Sequence, residues 1–132
     1  MMIMRIDHLV LTVKDVEATL DFYQRVLDMK PERFDGGRRA LSFGSNKINL
    51  HQQGKEFEPK ALTALPGTGD LCLITESSIK DVVTRLKQNE VTLIHGPVRK
   101  VGALGPMLSV YFRDPDGNLI EVSNYSEAPP SE

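Results

Sequence analysis

Cysteine is nearly absent. Cys72 is the only one in 132 residues, so no disulfide can form within the chain, and a reducing, cytoplasmic setting is expected. Long apolar runs are missing too. None approaches the roughly 20 residues of a membrane-spanning helix, and the opening Met1-Met2-Ile3-Met4-Arg5 turns polar too soon to read as a secretory signal. No sign of charge dominates: the net charge is −2, which leaves no basic footprint for nucleic acid or an anionic membrane. The chain also carries no GxSxG, P-loop, GxGxxG, CxxC or HExxH pattern, so none of those chemistries is announced by spacing. What remains is an ordinary globular composition, 40% hydrophobic and 26% charged, in a chain long enough for one domain with its own core.

The apolar pattern divides that chain into similar halves. Ile6 to Val13 is β-branched and apolar and predicts a strand. Asp15 stands at an N-cap position before Val16, Leu20, Tyr23 and Leu27, spaced to line one helix face. Pro31 is expected to end that helix. A short strand near Glu32 to Asp35, then Arg39 to Phe43 and Lys47 to Gln52 around a Gly44-Ser45-Asn46 turn, complete the first half. Gly54 to Gly69 reads as a connector. The order then repeats. Asp70 to Thr75 is a strand, and Ser77 or Ser78 caps a helix with Ile79, Val82, Val83 and Leu86 on one face. Val91 to Ile94 predicts a strand and His95 to Pro106 a loop. Met107 to Phe112 and Leu119 to Ser123 are strands about an Asp114-Pro-Asp-Gly117 turn. Ser126 to Glu132 reads as a flexible tail. The expectation is an α+β domain over residues 1–125. Its two paired βαβββ modules, about 5–53 and 69–125, would form a curved mixed sheet around a cavity, because neither half can bury its sheet face alone.

Several polar residues interrupt these apolar strands. His8 lies in the first strand and is either a hydrogen-bonded core histidine or a site residue. Glu121, in Leu119-Ile-Glu-Val122, either faces solvent or enters the cavity, where it would need a partner or a metal. Asp70 holds the place in the second half that His8 holds in the first; alone it reads as a turn or cap residue. Asn49 and His51 share a strand face opposite Ile48 and Leu50, toward solvent or toward an open cavity. Cys72 reads as a small buried hydrophobe and His95 as a solvated loop residue. Arg38-Arg39 after Gly36-Gly37 reads as a hairpin surface, with anion binding as the lesser alternative.

Asp7-His8-Leu-Val-Leu-Thr-Val13, Phe22-Tyr23 and Tyr111-Phe-Arg-Asp-Pro-Asp-Gly-Asn-Leu-Ile-Glu121 resemble the glyoxalase, bleomycin-resistance and dioxygenase family, also called the vicinal oxygen chelate family. The likeness runs over residues 5 to 125. Lys47-Ile-Asn-Leu-His51, Gly54 to Lys60 and Asp70 to Glu76 resemble its glyoxalase-domain branch with bacterial virulence-associated members. The resemblance implies paired βαβββ modules, usually a homodimer, and a divalent metal held by first and last strands. His8 and Glu121 match ligand positions. Asp70 stands where the family usually has a second-module histidine, and Asn49 where glyoxalase I has a glutamate.

A neutral Asn49 cannot move a proton as that glutamate does. Glu121 is therefore the catalytic candidate, with His8, Glu121 and Asp70 as metal ligands and Asn49 and His51 as substrate contacts. One nitrogen and two carboxylates suit Mn²⁺ or Mg²⁺ better than Zn²⁺, with Ni²⁺ and Fe²⁺ also open. Three functions stay open: a metal-dependent lyase or isomerase of the lactoylglutathione lyase-like group, acting on a small oxygenated substrate; a metal-free small-molecule binder of the bleomycin-resistance kind; and an extradiol-type dioxygenase, which needs His51 beside His8 and Glu121. In each, the Gly102-Ala-Leu-Gly-Pro106 segment is either a lid or a plain surface loop.

Overall fold

A computed structural model describes residues 1–130. The chain divides into two compact units, Met1–Thr68 and Gly69–Glu132. The first contains β1 (His8–Val13), α1 (Val16–Leu27), β2 (Lys30–Phe34), β3 (Arg38–Phe43) and β4 (Asn46–Gln52). Its sheet runs β1-β4-β3-β2, with β1 and β4 parallel and the other pairs antiparallel. The second contains β5 (Asp70–Ile74), α2 (Ile79–Gln88), β6 (His95–Gly102), β7 (Gly105–Arg113) and β8 (Leu119–Asn124). Its order, β5-β8-β7-β6 with β5 and β8 parallel, repeats the first. The fold is α+β, built from two four-stranded mixed sheets and two helices, as the repeated pattern predicts. No described helix is long and apolar enough to cross a membrane.

In each unit one sheet face is apolar and buried, and the other carries the polar side chains, some exposed (His8, Asp70, Cys72) and some buried (His51, Ser109, Ser123). Asp15 caps α1, its side chain accepting the Ala18 N–H, and Leu20, Phe22, Tyr23 and Val26 are buried with Leu11, Val13, Leu41, Ile48 and Leu50. The helix ends at Asp28, which is left-handed with φ 58° and returns its N–H to Gln24, a C-cap geometry. Pro31, the expected terminator, instead lies in β2, an edge strand where a missing N–H is tolerated. In the second unit Ser78 caps α2, whose Ile79 and Leu86 are buried along with Val110, Phe112, Ile120 and Val122.

Two expectations fail around β6. Val91–Ile94 is not a strand, and the expected loop from His95 is an eight-residue strand paired with β7. Gly96 and Pro97 misled the reading. They sit at a bulge, where the register shifts between His95 and Val98, on the sheet's outer edge. Such residues are admitted there. A side chain at Gly96, with φ +96°, would strike the Ser109 carbonyl at 2.4 Å. The expected lid segment is accordingly the short hairpin turn joining β6 to β7. At the chain's end, Tyr125–Glu127 forms a 3-10 turn, and the Glu127 carboxylate accepts the Ile79 N–H; residues 131 and 132 of the expected tail lie outside the described residues.

Candidate functional site

Alternation along β8 puts Leu119, Glu121 and Ser123 on the open face, opposite Ile120 and Val122. The register then sets Glu121 beside Cys72 of β5 and Tyr111 of β7. The Tyr111 hydroxyl hydrogen-bonds Glu121, and the Cys72 thiol lies near enough to feel its charge. Ser123 Oγ donates to its Oε2 at 3.3 Å and lies 2.6 Å from Ser109 Oγ. Burial, and then Glu121, push the Tyr111 phenol up to about 12. Burial and the Glu121 charge push the Cys72 thiol up, while its Ser123 hydrogen bond pulls the other way. Cys72 is exposed on this face and 3.2 Å from Ser123 Oγ, not the packed hydrophobe expected. His95 opens β6 with its ring 5.4 Å from that of Tyr111, so it too belongs to this face rather than to a loop. Asp70 begins β5, exposed, on the same face as Glu121 and two residues from its row.

The turn before β8 explains why Glu121 lands there. Asp114 is buried, and its Oδ1 accepts the N–H groups of Asp116 and Asn118 while its Oδ2 accepts the Asn118 amide. Asn118 Oδ1 in turn accepts the Gly69 N–H at 2.7 Å, fixing where β5 starts against β8. The Arg-Asp-Pro-Asp-Gly-Asn stretch is thus a register device, its last residue three positions ahead of Glu121. Asn46 does the same in the first unit by donating to the carbonyls of Ile6 and Asp7, three residues ahead of Asn49.

In the first unit the polar face carries rows across β1, β4 and β3: His8, Lys47 and Ser42; Val10, Asn49 and Ala40; then Thr12 and His51, with Arg38 at the start of β3 close enough to act on His51. His8 is exposed at the start of β1, with Nδ1 2.9 Å from Asp7 Oδ2, and that bond holds the Asp7 carboxyl below its ordinary value. His51 is only 6% exposed. Its ring meets Phe57 edge-on at 5.7 Å, and burial followed by the Arg38 charge pushes its pKa down. His51 Nδ1 and Asn49 Oδ1 are buried with no hydrogen-bond partner among the described residues. Of the expected site residues, then, Asn49 joins His51 on one face and Asp70 joins Glu121 on another. His8 lies four residues along the paired strands from the His51 row, about 13 Å at strand rise. Sequence reasoning passed over Tyr111, Ser123, Lys47 and Phe57; period-two alternation in β7 and β8 was the signal available for the first two.

Whether a divalent metal fits rests on these donors. His8 has the arrangement of a ligating imidazole, one ring nitrogen held by a carboxylate and the other open. Asp70 and Glu121 offer oxygen on one face. Among the described residues, however, no three His, Cys, Asp or Glu side chains are gathered closely enough to hold an ion. The donor types fit a hard divalent cation.

The glyoxalase/bleomycin resistance protein/dioxygenase superfamily model matches residues 5–122. The glyoxalase domain-containing protein RDO1 of Mycosarcoma maydis is 54% identical over 93% of this chain and 69% of its own. Virulence protein STM3117 of Salmonella typhimurium is 54% identical over 95% of this chain and 87% of its own. The crystal structure of STM3117 superposes with a TM-score of 0.93 over 95% of this chain and 99% of that one. The metallothiol transferase FosB of Shouchella clausii is more distant, 28% identical over 92% of this chain and 80% of its own. With the family model spanning nearly the whole chain and two relatives above half identity, this protein belongs to the glyoxalase/bleomycin resistance protein/dioxygenase superfamily.

Proposed function

We propose that the protein is a metal-dependent, glyoxalase-like enzyme of the lyase or isomerase type, acting on a small oxygenated substrate in the cytoplasm. The observation that carries this reading is Glu121. It is a half-buried carboxylate on the polar face of the second sheet, with the Tyr111 phenol and Ser123 Oγ beside it. His8, Asp70 and Glu121 would hold the ion, which when bound supplies polarisation of two neighbouring substrate oxygens. A relative named as a metallothiol transferase supports a metal in this scaffold. A homodimer, which the family resemblance implies, is the working form in this reading.

The chain's own residues have separable tasks. Tyr111 stays protonated through the physiological range, because its phenol is pushed up to about 12, and donates to Glu121. Asn49, being neutral, contributes hydrogen bonding only. His51, whose pKa burial and Arg38 push down, is a second imidazole on the first unit's polar face, with Nδ1 unpartnered among the described residues. The dioxygenase alternative weakens, since His51 packs against Phe57 about 13 Å along the strands from His8. The metal-free binder is a second reading, in line with the bleomycin resistance proteins that the matching superfamily includes.

Elemental analysis after exhaustive dialysis separates them. Near-stoichiometric divalent metal in wild type, lost in folded His8→Ala and Glu121→Ala variants, supports the enzyme. Metal-free wild type with no thermal shift on adding Mn²⁺, Ni²⁺, Zn²⁺ or Fe²⁺ leaves the binder.

A further inference from the structure

The helix side of the first unit's sheet carries a cleft of about 350 Å³, bounded by β2, β3, β4, the connector and the first turn of α1. Register puts Arg33 of β2 directly opposite Arg39 of β3, and Arg39 opposite Leu50 of β4. The two arginines therefore share the sheet face whose Leu50 belongs to the core. Both line the cleft, and Lys55 lines it from the connector. Like charges directly opposite on neighbouring strands repel and weaken a sheet.

Two acids also line the cleft, Asp15 and Glu17, and they leave the three cations in excess. Asp15 is engaged by the Ala18 N–H as the helix cap. Glu17 pairs with Arg39 but is itself mostly exposed, where an ion pair stabilises little. Arg33 and Lys55 form no ion pair among the described residues. An anion seated between the arginines turns their repulsion into attraction. A carboxylate fills one arginine fork. The three outer oxygens and about −1.5 to −2 charge of a phosphomonoester match two forks and an ammonium. Val16, Leu50 and Phe57 add an apolar wall, which suits an organic body on that phosphate.

We infer that this cleft is a binding site for a small phosphomonoester with an apolar body, its phosphate held by Arg33, Arg39 and Lys55. Arg39, with Gly37 beside it in the lining, is the part of the Gly36-Gly37-Arg38-Arg39 stretch that serves it. The site lies on the opposite face of the sheet from His8, Asn49 and His51. It needs no metal, so it and the enzyme reading can fail separately.

The test is an amide NMR titration of the full chain, treated with chelator so that no metal takes up phosphate. Three probes are compared: phenyl phosphate, benzoate, which keeps the ring but carries a carboxylate, and inorganic phosphate, which has no ring. Phenyl phosphate should bind saturably, shifting the amides of Glu17, Gly37 and Lys55 and leaving those of His8, Asn49 and Glu121 in place. Benzoate and inorganic phosphate should each bind there about tenfold more weakly, the scale of one lost charge-assisted hydrogen bond or of the apolar contact. Arg33→Gln and Lys55→Gln, both at exposed positions, should each weaken phenyl phosphate by a similar factor. Arg33→Gln should also raise the Tm of the ligand-free protein by relieving the cross-strand repulsion, and remove most of the Tm gain that phenyl phosphate gives wild type. An arginine kept for structure alone would lower Tm when replaced. The inference is overturned by any of five results: no saturable shift at the cleft amides, shifts centred on His8 or Glu121 instead, either comparison probe binding as tightly as phenyl phosphate, indifference to both variants, or a lower Tm in Arg33→Gln.

Discussion

Glu121 and Tyr111 act as a pair. The tyrosine is the carboxylate's donor, and the carboxylate is part of what keeps the tyrosine protonated. In metal-free protein the Tyr111 phenol should therefore ionise near 12, in an ultraviolet step that Tyr111→Phe removes. Glu121→Gln should bring the step down only in part, because burial is the larger cause. A step unmoved by Glu121→Gln would mean that the two groups do not interact. The stability linked to Tyr111 is constant below its unfolded value near 10 and is lost as pH rises from there toward 12. His51 has the opposite linkage. Its folded pKa is depressed, by burial first and Arg38 second, so the unfolded chain takes up the proton more readily. Its contribution is intact above about 6.5 and declines as pH falls below that. His51→Gln should remove this part of the acid loss, so the gap in Tm between wild type and variant shifts in the variant's favour from pH 7.5 to pH 5. A gap independent of pH would place His51 in a solvated, unperturbed setting.

At the level of elements, the turn of Asp114 to Asn118 sets the register that delivers Glu121. Asp114→Ala strips three hydrogen bonds from a buried turn, and should cost about 2–4 kcal/mol. Asp114→Asn should cost less, since an amide oxygen still accepts. Chemical denaturation measures both, and a loss below about 0.5 kcal/mol for the alanine variant would show that the turn is not what fixes the strand. The sequence made this turn, both helices and the strands carrying His8, Asn49 and Glu121 legible, because their apolar periods and caps act locally. It did not reveal β6, where Gly96 and Pro97 obey the rules of an edge bulge instead of a loop. Nor did it reveal that Cys72 flanks Glu121. An apolar neighbourhood along one strand says nothing about which residue stands across on the next, and that depends on the register set by Asn118 and Gly69.

On the scale of the whole molecule, the two units share one topology but carry different chemistry. The second presents carboxylates and a phenol on its open face, the first two cations, a neutral imidazole and an amide. Asn49 and Glu121 stand at matching places, each three residues after an asparagine that ties the last strand to the first. In the proposed reading the catalytic carboxylate is therefore single rather than duplicated, and His8 is the sole nitrogen among the proposed metal ligands. That assignment is tested most directly by electron spin-echo spectroscopy on protein loaded with Mn²⁺. The account expects the modulation of one imidazole nitrogen in wild type, absent in His8→Ala and kept in His51→Gln. No bound Mn²⁺, no nitrogen modulation in wild type, or its loss in His51→Gln instead of His8→Ala would contradict it.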